Sequence, residues 1–240
     1  MNKPELITRS ITGLIIGAVS LSAIIFSPWT YLIWLCAIVY LGTREYCRLE
    51  NQIQGYTQGS DFPFLLMIIV GCTGFALIHQ YSPIPVLIFL PVLIGLRFLV
   101  ELLITKDVTV LVKSNTTIFS AAAYIGIPAL CGCLFLQGAF IWQYIFIPVV
   151  LIWANDIGAY MIGSQWGKHK IAPAISPGKS IEGTIGGGFS ALLTGYVASL
   201  VWPDIPIYYV ATLSLATALF ALAGDLWESA LKRNAGVKDS

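Results

Sequence analysis

Long apolar runs alternate along the chain with short polar connections that carry most of its charge. A helix rises 1.5 Å per residue, so a run of about 20 mostly apolar residues crosses a bilayer. Such runs fall at roughly 10–27, 29–43, 62–80, 84–104, 118–139, 141–163, 184–202 and 206–229. The second is short, and the last two carry polar ends. No internal repeat or low-complexity tract interrupts the series. The pattern predicts an all-α protein, a polytopic transmembrane helical bundle of about eight spans.

Composition agrees. Of 240 residues, 57% are hydrophobic and only 10% charged, with a mean hydropathy of +0.82. A soluble domain usually carries about a quarter charged residues. This much apolar surface exceeds what one soluble core can hide, so lipid must cover much of it. A net charge of +1 gives no sign of a nucleic-acid partner. No small-residue cleavage site follows the first apolar run, which is read as a retained span rather than a signal peptide. Cys36, Cys47, Cys72, Cys131 and Cys133 lie mostly within apolar runs and form no C-x-x-C pair. They read as small packing residues. His79 and His169 are isolated, which argues against a zinc site.

Charge also orients the spans. Lys3 and Arg9 precede the first run, Arg44 and Arg48 follow the second, and Lys106 and Lys113 follow the fourth. Lys168, Lys170 and Lys179 follow the sixth; Lys232, Arg233 and Lys238 follow the eighth. The connections around Pro28, Ser82, Gln137 and Pro203 hold no Lys or Arg. The positive-inside rule then puts both termini and every basic loop in the cytoplasm. Arg97 remains within the fourth run, one helical turn from Glu101; the pair reads as mutually neutralising, with a substrate role as the alternative for charges inside a membrane.

Chemistry collects in three stretches near the cytoplasmic ends of the last three spans. The first, ISPGKSIEGTIGGG at 175–188, contains the Gly-Lys-Ser tail of a phosphate-binding loop at Gly178, Lys179 and Ser180. The full pattern, G-x-x-x-x-G-K-(S/T) between a strand and a helix, is not met. Pro173 stands where the first glycine belongs, and a transmembrane helix rather than a strand is expected before it. The stretch reads either as an ordinary turn or as a looser phosphate site, with Lys179 adding charge to exposed backbone N–H groups. Ser180 is placed to cap the next helix, with Glu182 in its first turn. The second stretch, WANDIGAYMIGSQWGK, sets Asn155, Asp156, Tyr160 and Gly163 on one helical face. A carboxylate as deep as Asp156 calls for a polar cavity, a cation or an interhelical hydrogen bond. The third, AGDLWESALKR, aligns Asp225, Glu228, Ser229 and Lys232 at i, i+3, i+4 and i+7. Two acids one turn apart make a plausible Mg²⁺ ligand set, or else the ion-paired end of an amphipathic helix. Acids for a metal and bases for phosphates, at one membrane face, are what phosphoryl or nucleotidyl transfer needs.

These residues resemble the phosphatidate cytidylyltransferase, or CDP-diglyceride synthetase, family. Its S-x-x-K-R-x-x-x-x-K-D-S pattern is met by Ser229, Lys232, Arg233, Lys238, Asp239 and Ser240, with Gly224, Asp225 and Glu228 ahead of it. Its S-P-x-K-(S/T)-x-E-G pattern is met by Ser176, Pro177, Lys179, Ser180, Glu182 and Gly183. Its N-D-x-x-A-Y-x-x-G segment is met by Asn155, Asp156, Ala159, Tyr160 and Gly163. The three motifs cover about the last ninety residues; the first 140 or so match only as a hydrophobic pattern. The resemblance implies N-terminal transmembrane helices over 1–117 and a catalytic transmembrane region over 118–240. It implies CTP and phosphatidate as substrates, Mg²⁺ as cofactor, and a multi-pass protein of the bacterial inner membrane, with a homodimer possible. The implied catalytic residues are Asp225, Lys232, Arg233, Lys238 and Asp239. Asn155, Asp156, Ser176, Lys179, Ser180, Glu182 and Ser229 are implied to bind substrate, and Asp225, Glu228 and Asp156 to hold the metal. The family signature continues beyond the lysine–aspartate pair into a segment with a further acid. The chain is therefore expected to be a partial sequence with little turnover of its own.

Three other readings stay open on the residues. One is a CTP-dependent lipid or polyprenol kinase, another a cytidylyltransferase for a different lipid phosphate. The third is a secondary transporter of an anionic solute, disfavoured by the absence of repeats and by polar residues gathered at one face. The D-G-x-x-A-R core of a CDP-alcohol phosphotransferase is absent.

Overall fold

The computed structural model describes residues 3–55, 61–82, 84, 95, 99, 102–103 and 108–237. It divides into two compact units, Met1–Trp142 and Gln143–Ser240. The boundary expected between 117 and 118 falls inside a helix of the first unit.

In the first unit, α1 spans Lys3–Phe26 and α2 spans Pro28–Gln54, with only Ser27 between them. Ser27 makes the break. Its hydroxyl accepts the Thr30 N–H at 3.1 Å, while Thr30 Oγ1 accepts the Ser27 N–H at 3.1 Å, and Pro28 begins the new helix. This reciprocal cap satisfies two amide groups that the new helix would otherwise orphan. Helix α2 outruns the apolar run expected at 29–43. Its polar second half keeps a buried stripe through Thr43, Tyr46, Cys47 and Leu49, so packing sustains the helix after lipid contact ends. It stops at Gly55, whose φ of 66° is left-handed and suits glycine.

Helix α3 spans Phe62–Ile78 and α4 spans Val108–Leu136, starting ten residues ahead of the apolar run expected at 118–139. Within α4 a π-helical turn occupies Ala122–Gly126, just before Pro128. Proline has no N–H to donate back into the helix, and the wider turn accommodates the missing bond. The run expected at 84–104, with Arg97 and Glu101, lies largely outside the described residues.

In the second unit, α5 spans Gln143–Trp166, α6 spans Ile181–Val201 and α7 spans Ile207–Asn234. A core of Ile147, Leu151, Ala198, Ile205 and Val210 joins these helices at one end, with Tyr144, Trp202 and Tyr209 against it. The Tyr209 hydroxyl donates to the Tyr144 carbonyl at 3.2 Å. Toward the other end, α5 and α6 approach at backbone distance. A Cβ on Gly183 would lie 2.8 Å from the Ala159 carbonyl oxygen, and one on Gly187 would lie 2.7 Å from the Asn155 carbonyl oxygen. Small residues at this spacing are what close helix packing in a membrane requires.

Between α5 and α6 the chain forms an antiparallel hairpin, β1 at Lys170–Ala172 and β2 at Ser176–Ser180. This corrects the expectation that no strand precedes the Gly-Lys-Ser sequence: Gly178, Lys179 and Ser180 are themselves strand residues. Lys170 pairs with Ser180 and Ala172 with Ser176, with an irregularity between. Among the described residues, four helices are long and apolar enough to cross a membrane: Val108–Leu136, Gln143–Trp166, Ile181–Val201 and Ile207–Asn234. Two shorter ones are apolar, Ile11–Phe26 and Phe62–Ile78. Apart from the hairpin, this is an all-α membrane protein.

Candidate active site

Helix α6 begins where β2 ends. Ser180 is 2% exposed, and its side chain accepts the Gly183 N–H at 3.2 Å, so the expected helix cap is present. The glycines that follow do not form a phosphate cradle. Gly186 and Gly187 lie inside α6, where an added Cβ would strike Ile162 and Asn155 of α5. They permit the helices to touch beside the cleft.

That cleft has a volume of about 590 Å³. Helix α5 lines it with Asn155, Asp156, Tyr160 and Gly163, the hairpin with Lys170, Gly178, Lys179 and Ser180, and α7 with Asp225. Asn155, Asp156, Tyr160 and Gly163, which the helical spacing sets on one face, all meet this cavity. Asn155 is buried, and its amide donates to Asp156 Oδ1 at 3.4 Å. Lys179 and Asp225 form an ion pair between β2 and α7. Asp156 lies close enough to both to interact with them electrostatically.

Other expected site residues do not line this cavity. Glu228 pairs with Lys232 at 2.6 Å along α7, which is the ion-paired helix end that the spacing also allowed. Arg233 Nε donates to the Ile175 carbonyl at 3.5 Å, bringing the end of α7 to the hairpin turn. Ser176 sits in β2 opposite Ala172, and Ser229 lies one turn beyond Asp225. Glu182 accepts the N–H groups of Lys168 and His169, just ahead of β1, and does not line the cleft. Lys238 and Asp239 lie outside the described residues. Lys170, by contrast, lines the cleft although its sequence context marked it only as a loop charge. Its register opposite Ser180 exists only once the hairpin has formed.

Among the described residues no group of three or more His, Cys, Asp or Glu side chains is placed to hold a metal. Two carboxylates, Asp156 and Asp225, do face the cleft from different helices. An oxygen-only pair of this kind suits a hard divalent cation whose other ligands are water and phosphate oxygens. Lysines and carboxylates thus line one cavity among apolar helices.

Fold and cleft together define an integral membrane protein with a charged site built from its last three long helices and the hairpin between them. The chain belongs to the cytidylyltransferase family, whose profile matches residues 7–240. It is 42% identical over 154 residues to the phosphatidate cytidylyltransferase of Bacillus subtilis (strain 168), covering 60% of this chain and 55% of that one. It is 44% identical over 109 residues to the phosphatidate cytidylyltransferase of Haemophilus influenzae, covering 43% and 37%. It is 36% identical over 188 residues to that of Staphylococcus aureus (strain COL), covering 73% and 67%. In these matches the chain spans 37% to 67% of the relatives' own length.

Proposed function

We propose that the protein transfers a cytidylyl group from CTP to phosphatidate, giving CDP-diacylglycerol and pyrophosphate. The observation that carries this reading is the cleft in which Lys179, Asp156 and Asp225 converge, in a membrane protein of the cytidylyltransferase family. A phosphate oxygen of phosphatidate bonds to the α-phosphorus of CTP. The bond from that phosphorus to the β-phosphate oxygen breaks, and pyrophosphate leaves with the electron pair. No enzyme nucleophile is needed, so positioning and charge neutralisation supply the rate.

In this reading Lys179 binds the triphosphate, helped by the positive field of Lys232, Arg233 and Lys238. Asn155, Ser176, Ser180 and Ser229 offer hydrogen bonds to phosphates or nucleoside. Asp225 and Asp156 would hold Mg²⁺ between them, while Glu228, one turn along the same helix, is paired with Lys232. The chemistry such an ion supplies is neutralisation of charge on the phosphates. In the same reading the chain has about eight spans, with the cleft and both termini on the cytoplasmic side of a bacterial inner membrane; the one-sided Lys and Arg distribution supports this.

The test is transfer of label into lipid from α-labelled and, separately, γ-labelled CTP by the full-length protein in detergent micelles, with phosphatidate and Mg²⁺. The expected product is a cytidine-containing lipid, formed in step with pyrophosphate release. Label reaching lipid only from the γ-phosphate would make the protein a lipid kinase. No incorporation from either position overturns the assignment.

A further inference from the structure

We propose that Glu182 is a positioning residue that acts through the hairpin to fix Lys179, rather than a ligand of substrate or metal. This rests on the reading of Lys179 as a phosphate ligand.

Glu182 stands in the first turn of α6, and its carboxylate closes a ring of contacts on the chain thirteen and fourteen residues earlier. Oε2 accepts the N–H of Lys168 at 3.1 Å and that of His169 at 3.2 Å. Oε1 lies 2.6 Å from His169 Nδ1. A carboxylate only accepts, so Nδ1 carries the proton in this contact. The Ile181 N–H adds a bond to the His169 carbonyl at 2.9 Å. With both its oxygens engaged by the 168–169 turn, and no place in the lining of the cleft, Glu182 is poorly set to reach a ligand there.

What it does reach is the start of β1. Lys170 follows the clamped turn directly and pairs in register with Ser180. Ser180 adjoins Lys179, whose ammonium crosses to Asp225. The hairpin has three residues in one strand and five in the other, with an irregular register. Isolated two-stranded hairpins are marginal in water. An outside clamp is what keeps such a short ladder in one position, and Glu182 supplies it from a rigid helix. Its negative charge also suits the N-terminal end of α6, so the clamp and the helix dipole favour the same placement.

The test compares Glu182→Ala and Glu182→Gln in the full-length protein, alone and with Lys179→Ala. The amide oxygen of Gln still accepts the two backbone N–H groups. Glu182→Ala is expected to raise KM for CTP roughly ten-fold or more, the scale of one displaced charge-assisted contact, with a smaller change in kcat. Glu182→Gln is expected to restore most of the affinity. In the Lys179→Ala background, Glu182→Ala should raise KM no further. A merely structural role would lower the active fraction and leave KM alone. Gln as damaging as Ala would mark a direct charge contact and overturn the proposal, as would an undiminished effect without Lys179. Amide hydrogen exchange gives an arm independent of turnover. Residues 176–180 should exchange faster in Glu182→Ala, and unchanged exchange there overturns the proposal. If the unsubstituted protein fails to use CTP, the reaction assignment falls, while the exchange result still decides whether the clamp holds β2.

Discussion

Lys179 and Asp225 hold opposite charges on different elements, and each is the other's partner across the cleft. A phosphate that takes Lys179 frees Asp225, and a cation that takes Asp225 frees Lys179. The pair is partly solvent-exposed, so it contributes little to folding and its members can be replaced without loss of structure. Lys179→Ala is expected to weaken CTP use by roughly 1.5–3 kcal/mol, read as kcat/KM, with unchanged thermal unfolding. Asp225→Asn is expected to keep the fold and abolish Mg²⁺-dependent turnover, read by titrating Mg²⁺ in the transfer assay. Full activity in Asp225→Asn removes it from the metal site. Lys179, Asp225, Asp156 and Asn155 were legible in the sequence because a charged or amide group near an apolar run needs a reason to be there. The partners of Glu182 were not. For Glu228 the spacing allowed either a metal ligand or an ion-paired helix end, and the geometry puts its carboxylate on Lys232. Glu182 reaches across a hairpin that no periodicity announces.

At the scale of elements, α5 and α6 touch beside the cleft. Gly187 is the sensitive point, because a Cβ there would stand 2.7 Å from a backbone oxygen and 2.9 Å from Asn155 Oδ1. Backbone yields only if the helices part, so Gly187→Ala is expected to cost about 1–3 kcal/mol of stability and to lower CTP affinity with it. Gly13→Ala on α1, with open space around it, should be neutral or slightly stabilising. Thermal unfolding of both variants in detergent checks the contrast, and equal melting temperatures would remove the packing argument. Helices α1, α3, α5, α6 and α7 overlie the runs read from the sequence, with ends shifted by up to several residues. Helix α2 and helix α4 depart further, because apolar length measures contact with lipid and not the length of a helix. The hairpin was hidden by its brevity: strands of three and five residues containing Pro177 and Gly178 leave no alternating signal.

At the scale of the molecule, one segregation governs the rest. Lys and Arg gather in every second connection, and the others lack them. Reporter fusions after Lys113 and after Asp204 are therefore expected to give opposite signals, cytoplasmic for the first and external for the second. Equal signals would overturn the topology and the side assigned to the cleft. The lipid-covered class of the fold was readable from composition, since so few charges cannot clothe a soluble surface. The division at Trp142 and Gln143 was not, because both sides are equally apolar and nothing in hydropathy marks where one packed unit gives way to another. The cleft residues all belong to the second unit.

The Lys179–Asp225 pairing also bears on which anions the cleft would admit. Membranes carry anionic headgroups, and an unpaired lysine near such a surface is drawn to them by about 1 kcal/mol. Lys179 with Asp225 against it shows little net charge to a passing phosphodiester. Such a lipid brings one negative charge and nothing for the carboxylate it would uncover. A ligand that arrives with its own cation leaves neither group bare. On the proposed reading, bulk anionic lipid is therefore expected to compete poorly with a phosphate that carries its own divalent cation.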